Sequence, residues 1–180
     1  SCGETLRVWN VNSGQCLKIL KGHSGPVLHV VTYDDQHVIS GGNDKTIRVW
    51  NVNHEECSVL GEHTGFIGGL ALMPDGRLVS YGFPQLKVWD VKNELCLAVI
   101  YTPKHQVTSI TLLNNECVIC GCCDGVFLCV WNINDEERLA VLEGHTKPVR
   151  SVAVMNDGCV VSAGEDGVPR KWDMSCYVSL

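Results

Sequence analysis

Five tryptophans, Trp9, Trp50, Trp89, Trp131 and Trp172, fall 41, 39, 42 and 41 residues apart, and each is followed by Asn or Asp (Asn10, Asn51, Asp90, Asn132, Asp173). A fixed period of about 40 residues marks a chain of repeated supersecondary units, none of which buries its apolar face alone. The period sets how every other residue is read.

Residues before three of the tryptophans agree: Thr5-Leu6-Arg7-Val8, Thr46-Ile47-Arg48-Val49 and Gln85-Leu86-Lys87-Val88 alternate polar with apolar. Period two is the mark of a strand with one buried face and one wet face. Upstream, Gln36–Ser40 is a second β-rich run, with Gly41-Gly42-Asn43-Asp44-Lys45 read as the hairpin turn between them. Val27–Val31 gives a third strand, joined through Asp34-Asp35, and Gln15–Leu20 and Leu95–Ile100 give a fourth after the Trp. No convincing helical periodicity competes. The pattern predicts short antiparallel strands in fours, and such strongly twisted sheets stack radially as propeller blades.

Two linked pairs, Gly22-His23 with Trp50-Asn51 and Gly144-His145 with Trp172-Asp173, stand at matching spacings, and Glu62-His63 with Trp89-Asp90 is a weaker copy. On these motifs the chain resembles the WD-repeat family over essentially its whole length. The resemblance implies an all-β propeller segment of four-stranded antiparallel blades. About four and a half blades are expected, a half blade at 1–20 and blades at about 26–60, 66–100, 106–142 and 148–180, the last with Cys176–Leu180 as its outermost strand. These do not close a ring by themselves, and seven is the family's commonest count, so a fragment of a larger propeller is expected. A short form that associates through its open end sheets is the alternative, because those sheets would expose more apolar surface than soluble monomers show.

The family pins each blade with a side-chain network of Trp, Ser or Thr, His and Asp. Indole N–H only donates, a hydroxyl relays, and imidazole passes the chain to a carboxylate. By resemblance, one complete set is His23, Ser40, Asp44 and Trp50, and a second is His145, Ser162, Asp166 and Trp172. Around Trp89, His63 and Ser80 are present, but Gly82-Phe83-Pro84-Gln85 replaces the Asp-bearing turn. Around Trp131, Cys120 takes the hydroxyl slot and Asp124 remains, with His105 two residues out of place and Pro103 at the expected position. Blades lacking the full network are expected to be softer.

Chemistry other than binding finds little support. The eleven cysteines include a run, Cys117, Cys120, Cys122 and Cys123 with Cys129 beyond, that invites a zinc reading. Cys117 and Cys120 lie three apart on a strand and so face opposite sides, whereas zinc needs four converging ligands. Free thiols are expected, with no metal and no cofactor, and an odd count suits a reducing compartment. No Ser-centred elbow, Gly-rich phosphate loop or paired catalytic carboxylates occurs, and Asp34-Asp35, Asn156-Asp157 and Asp135-Glu136-Glu137 read as turn acids. Net charge −6 argues against nucleic-acid binding, and no apolar run approaches a membrane span. A cytoplasmic protein is expected, with the nucleus as alternative.

Protein or peptide binding is the leading function, at the rim that receives partners in the family. The candidates there are Asn43, Cys123 and Glu165 before the turn Asp, Leu28 and Phe66 at the start of inner strands, and Arg150 with Lys147 for a phosphate or carboxylate. The chain is thus expected to be a non-catalytic interaction scaffold. Substrate recognition for a ubiquitin ligase or a sensor propeller of a signalling ATPase are alternatives within that class, and a propeller enzyme is less favoured because the inner strands are mostly aliphatic.

Overall fold

The structure, a computed structural model, describes residues 3–102, 106–122 and 125–175. Strand β1 (Thr5–Trp9) pairs with β2 (Cys16–Lys21) in a half-sheet. The first full blade orders β3 (Val27–Thr32), β4 (His37–Gly42), β5 (Thr46–Asn51) and β6 (Glu56–Glu62). The second has β7 (Ile67–Leu72), β8 (Arg77–Gly82), β9 (Gln85–Asp90) and β10 (Leu95–Tyr101). The third has β11 (Val107–Leu112), β12 (Cys117–Cys122), β13 (Phe127–Asn132) and β14 (Glu137–Glu143). A last sheet holds β15 (Val149–Val154), β16 (Val160–Gly164) and β17 (Arg170–Trp172). Every ladder is antiparallel between chain neighbours, and β3, β7, β11 and β15 lie side by side in series. The chain is therefore an all-β arc of propeller blades. Among the described residues no ladder joins its first sheet to its last, so hydrogen bonds do not close it. Cys176–Leu180 lie outside the described residues.

The Asn or Asp after each Trp builds the next turn. Asn10, Asn51 and Asn132 each accept through Oδ1 from the backbone N–H groups two and three residues on, and Asp90 accepts from Asn93 N at 3.0 Å. The fifth residue after each of these four tryptophans is left-handed: Gly14 (φ 67), Glu55 (φ 60), Glu94 (φ 55) and Glu136 (φ 58). Only the first is the residue type that adopts this conformation without cost. The turns between first and second strands use the same device, with Asp34, Asp75, Asn114 and Asp157 accepting from backbone N–H groups.

Gly41 and Gly42, read above as turn residues, belong to β4, and the turn is Asn43 to Lys45. The reason is steric. A Cβ on Gly41 would stand 2.4 Å from Ile67 Cγ2 of the next blade, and one on Gly42 would stand 2.8 Å from the Pro26 carbonyl. They are glycines because neighbours approach closely, not because the chain reverses there.

Four apolar clusters fill the gaps between successive sheets. Leu6 and Leu20 meet Val27 and Trp50, and then Ile39, Ile47 and Leu60 meet Ile67, Leu70, Leu78 and Trp89. Val79, Tyr81, Leu86, Val88 and Ile100 meet Val107, Val118 and Cys120, and finally Ile119, Leu128 and Val130 meet Val149, Val152 and Val160. Each such side chain, fully buried, contributes about 1.5–3 kcal/mol. Burial is uneven along the arc. In β7 only Leu72 is not fully buried, whereas β3 exposes Leu28, Val30 and Thr32 and β15 exposes Arg150, Ser151 and Ala153. Trp9, in the half-sheet, is 51 % exposed.

Candidate functional site

Two groups of polar residues stand out: the bridges inside the blades and a concavity where the inner strands begin. In the first full blade, Trp50 Nε1 donates to Ser40 Oγ at 2.7 Å, Ser40 Oγ lies 2.7 Å from His23 Nε2, and His23 Nδ1 lies 2.8 Å from Asp44 Oδ2. Because the indole can only donate, the Ser40 hydroxyl proton goes to Nε2, and Nδ1–H is left to donate to the carboxylate. The last sheet repeats this with Trp172 to Ser162 at 2.8 Å, Ser162 to His145 at 2.7 Å and His145 to Asp166 at 2.9 Å. Both carboxylates also accept backbone N–H groups, Asp44 from Ser24 and Asp166 from Thr146, so each ties the turn between its sheet's second and third strands (β4–β5 and β16–β17) to the loop leading into that sheet. Burial works to raise the Asp44 pKa, but the Ser24 amide, His23 and Thr46 outweigh it and hold it low. Asp166 is held far below the usual carboxylate range, first by the Thr146 amide, then by Val168 N, His145 and Arg170.

The second full blade keeps three of the four groups. Trp89 Nε1 donates to Ser80 Oγ and Ser80 lies against His63 Nε2, both at 2.7 Å. With only Phe83 and Pro84 between β8 and β9, no carboxylate reaches His63, and its buried Nδ1 has no hydrogen-bond partner. The loop is tied instead by Thr64 Oγ1 donating to the Phe83 carbonyl at 3.0 Å. Desolvation, helped by the Lys87 charge, pushes the His63 pKa down to about 4.

In the third blade Cys120 is fully buried, and Trp131 is half-buried against the cluster shared with the second blade. Pro103, His105, Cys123 and Asp124 lie outside the described residues.

The concavity, about 470 Å³, is lined by Leu28, His29, Phe66, Gly68, Gln106, Val107, Thr108 and Arg150. One feature repeated four times creates it. In each inner strand the ladder register skips one residue: Leu28 between Val27 and His29, Gly68 between Ile67 and Gly69, Thr108 between Val107 and Ser109, and Arg150 between Val149 and Ser151. A β-bulge re-aims the side chain it carries, and four in a row bring equivalent positions to one mouth. Thr108 Oγ1 donates to the Val149 carbonyl at 2.6 Å, fastening the third inner strand to the fourth. Burial lowers the pKa of His29, which favours its neutral form.

Of the rim residues singled out in the sequence, Leu28, Phe66 and Arg150 line this mouth. The Arg150 guanidinium is paired with Glu165, Nε to Oε1 at 2.9 Å. Asn43 is exposed on its turn, and Lys147 is exposed on the loop before β15. The backbones of Asn43 and Glu165 donate to the carbonyls of Pro26 and Pro148, placing their turns beside the starts of β3 and β15. His29 and Val107 were missed, because the bulge that turns them to the mouth has no signal in local sequence. Among the described residues no group of three or more His, Cys, Asp or Glu side chains is arranged to hold a metal ion, and no helix is long and apolar enough to cross a membrane.

The family model described as WD domain, G-beta repeat matches residues 14–51 and 136–173. Between these stretches the strands rebuild the same blade, so the chain carries WD repeats in a β-propeller-like arrangement. It is similar to Autophagy-related protein 16 of Arabidopsis thaliana, 28 % identical over 114 residues. That match covers 61 % of this chain and 22 % of the relative, so the chain spans about a fifth of the protein it resembles. The fold and these similarities define an interaction propeller, a type that is generally non-catalytic.

Proposed function

We propose that this chain is a non-catalytic scaffold that seats a protein partner at the mouth lined by Leu28, His29, Phe66, Gln106, Thr108 and Arg150. The convergence of four bulged inner-strand positions on one concavity supports the reading. The mouth is mixed in character: Leu28 and Phe66 are exposed apolar groups on one side, and Thr108, Gln106 and the Arg150–Glu165 pair are polar groups on the other. A partner would place an apolar side chain between Leu28 and Phe66 and polar backbone against the other side, the division of labour expected at interfaces. The similarity to an autophagy-related protein makes cytoplasmic assemblies of that process the first place to look for the partner. Recovery of partners from cell extract by the chain and by a Phe66→Ala, Arg150→Ala double variant tests the reading, with Val11→Ala, away from the mouth, as control. At least tenfold weaker recovery with the double variant alone is expected. Equal recovery from all three would overturn it.

A further inference from the structure

We propose that Cys120 and Cys129 form a disulfide across β12 and β13 when the chain meets a hydroperoxide oxidant, a reversible covalent pin in the full blade that has a thiol where its neighbours have Ser.

The register carries the proposal. Cys120 is the direct cross-strand partner of Cys129. Directly opposed residues in an antiparallel pair have Cα atoms about 4.5–5.5 Å apart and side chains on the same face, within the span of about 4.4–6.8 Å that a disulfide bridges. Both side chains are buried on the side of the blade that faces the second blade. Cys120 lies with Val118 in the cluster shared with that blade, and Trp131, two residues beyond Cys129, packs against the same cluster.

The equivalent pairs elsewhere are Ser40 with Arg48, Ser80 with Lys87 and Ser162 with Arg170. There a hydroxyl opposes a long basic side chain that reaches away, Arg48 to Thr46, Lys87 to the Glu62 carbonyl and Arg170 to Asp166. Only in the third blade do two short thiols face each other. The other described cysteines are less well placed: Cys122 lies two residues farther along β12, where its ladder partner in β11 is Val107, Cys117 belongs to the cluster on the opposite face, Cys159 precedes β16 in the last sheet, and Cys16, Cys57 and Cys96 sit on the outer strands of three different sheets.

The reaction balances with the oxidant named. With hydrogen peroxide as the hydroperoxide, one thiol attacks and breaks the O–O bond, giving a sulfenic acid and water. The second thiol displaces the hydroxyl, forming the S–S bond and releasing a second water. Burial, with Cys129 beside it, raises the Cys120 pKa and keeps that thiol protonated, so reaction in the closed blade is slow and loosening of β12 or β13 accelerates it.

The test uses the whole chain with Cys16, Cys57 and Cys96 replaced by Ser, treated with hydrogen peroxide, alkylated and cut by chymotrypsin between Cys120 and Cys129. A peptide pair joined through Cys120 and Cys129 is expected, two hydrogens lighter than the thiols and separated by dithiothreitol. The thermal midpoint should rise by about 5 °C on oxidation. Cys129→Ser should abolish both effects. Cys120→Ser should do the same while leaving the reduced fold unchanged, since three other sheets hold Ser at that position. Cys129 joined to a different cysteine, a cross-link that survives in Cys120→Ser, no cross-link at all, or one that leaves the midpoint unmoved would each overturn the proposal.

Discussion

The first and second full blades carry the same His, Ser and Trp in the same geometry and differ by one carboxylate. In the first, Asp44 gathers His23, the Ser24 amide and Thr46. In the second, His63 ends the chain of hydrogen bonds with a bare Nδ1. A buried, unsatisfied donor costs about 1–3 kcal/mol, which is why this blade was expected to be soft. Yet its β7 is the most thoroughly buried of the four strands that line the arc, and Ile67, Leu78, Val79, Tyr81 and Leu86 are closed off in the clusters on its two sides. The first blade faces only the two-stranded half-sheet on one side, and the last sheet has a single neighbour among the described residues; both keep the whole network. Apolar sandwiching and a polar pin are thus two ways to hold a blade, and the pin is complete where the sandwich is incomplete.

Removing the sandwich should give the largest effect. Ile67→Ala empties a fully buried position between the two blades and should cost about 4 kcal/mol in urea unfolding. If packing does not carry the second blade, the loss will be under half of that. Acid separates the blades next. His63 in the folded chain binds its proton near pH 4, against an ordinary value of 6.5, so the folded state holds fewer protons than the unfolded state between those values. Stability should be complete above pH 6.5 and fall toward pH 4 by at most about 3 kcal/mol. A His63→Gln variant should lose this slope. The depressed Asp44 and Asp166 act with the opposite group chemistry: their contribution is present above the ordinary carboxylate range and is lost only below about pH 4. Asp44→Ala should make the first blade resemble the second and cost about 2 kcal/mol, with faster amide exchange in β4 and β5 as the local readout. Smallest is Glu94→Gly, which should gain about 0.5 kcal/mol by releasing a left-handed non-glycine residue. A loss of stability would mean the Glu side chain contributes more than the strain costs.

The period was readable because Trp and the residue after it do two different jobs at one address. The indole is buried and donates to Ser, while Asn or Asp folds the next turn, so neither tolerates drift in spacing. The two complete networks were legible for the same reason, and so was the missing carboxylate in the shortened Phe83-Pro84 turn. Gly41 and Gly42 misled because a glycine pair looks alike whether the chain turns or a neighbour presses close, and only Ile67, 26 residues away, distinguishes the two. The mouth was half visible. Leu28, Phe66 and Arg150 could be named from their position in the repeat, but His29 and Val107 depend on a register skip, and the Arg150–Glu165 pair depends on two strands meeting.

Four successive register skips leave this architecture easy to reprogramme. Residues 28 and 150 can change identity while the ladders beside them keep their spacing, so a lineage or a designer could alter what the arc grips without relearning how to build it, whereas Thr108 also fastens β11 to β15 through the Val149 carbonyl. Position 68 is constrained as well: a Cβ there would press to 3.1 Å on both Tyr81 and the Val107 carbonyl. Two letters of the address are free to vary, and the other two are fixed by the masonry around them.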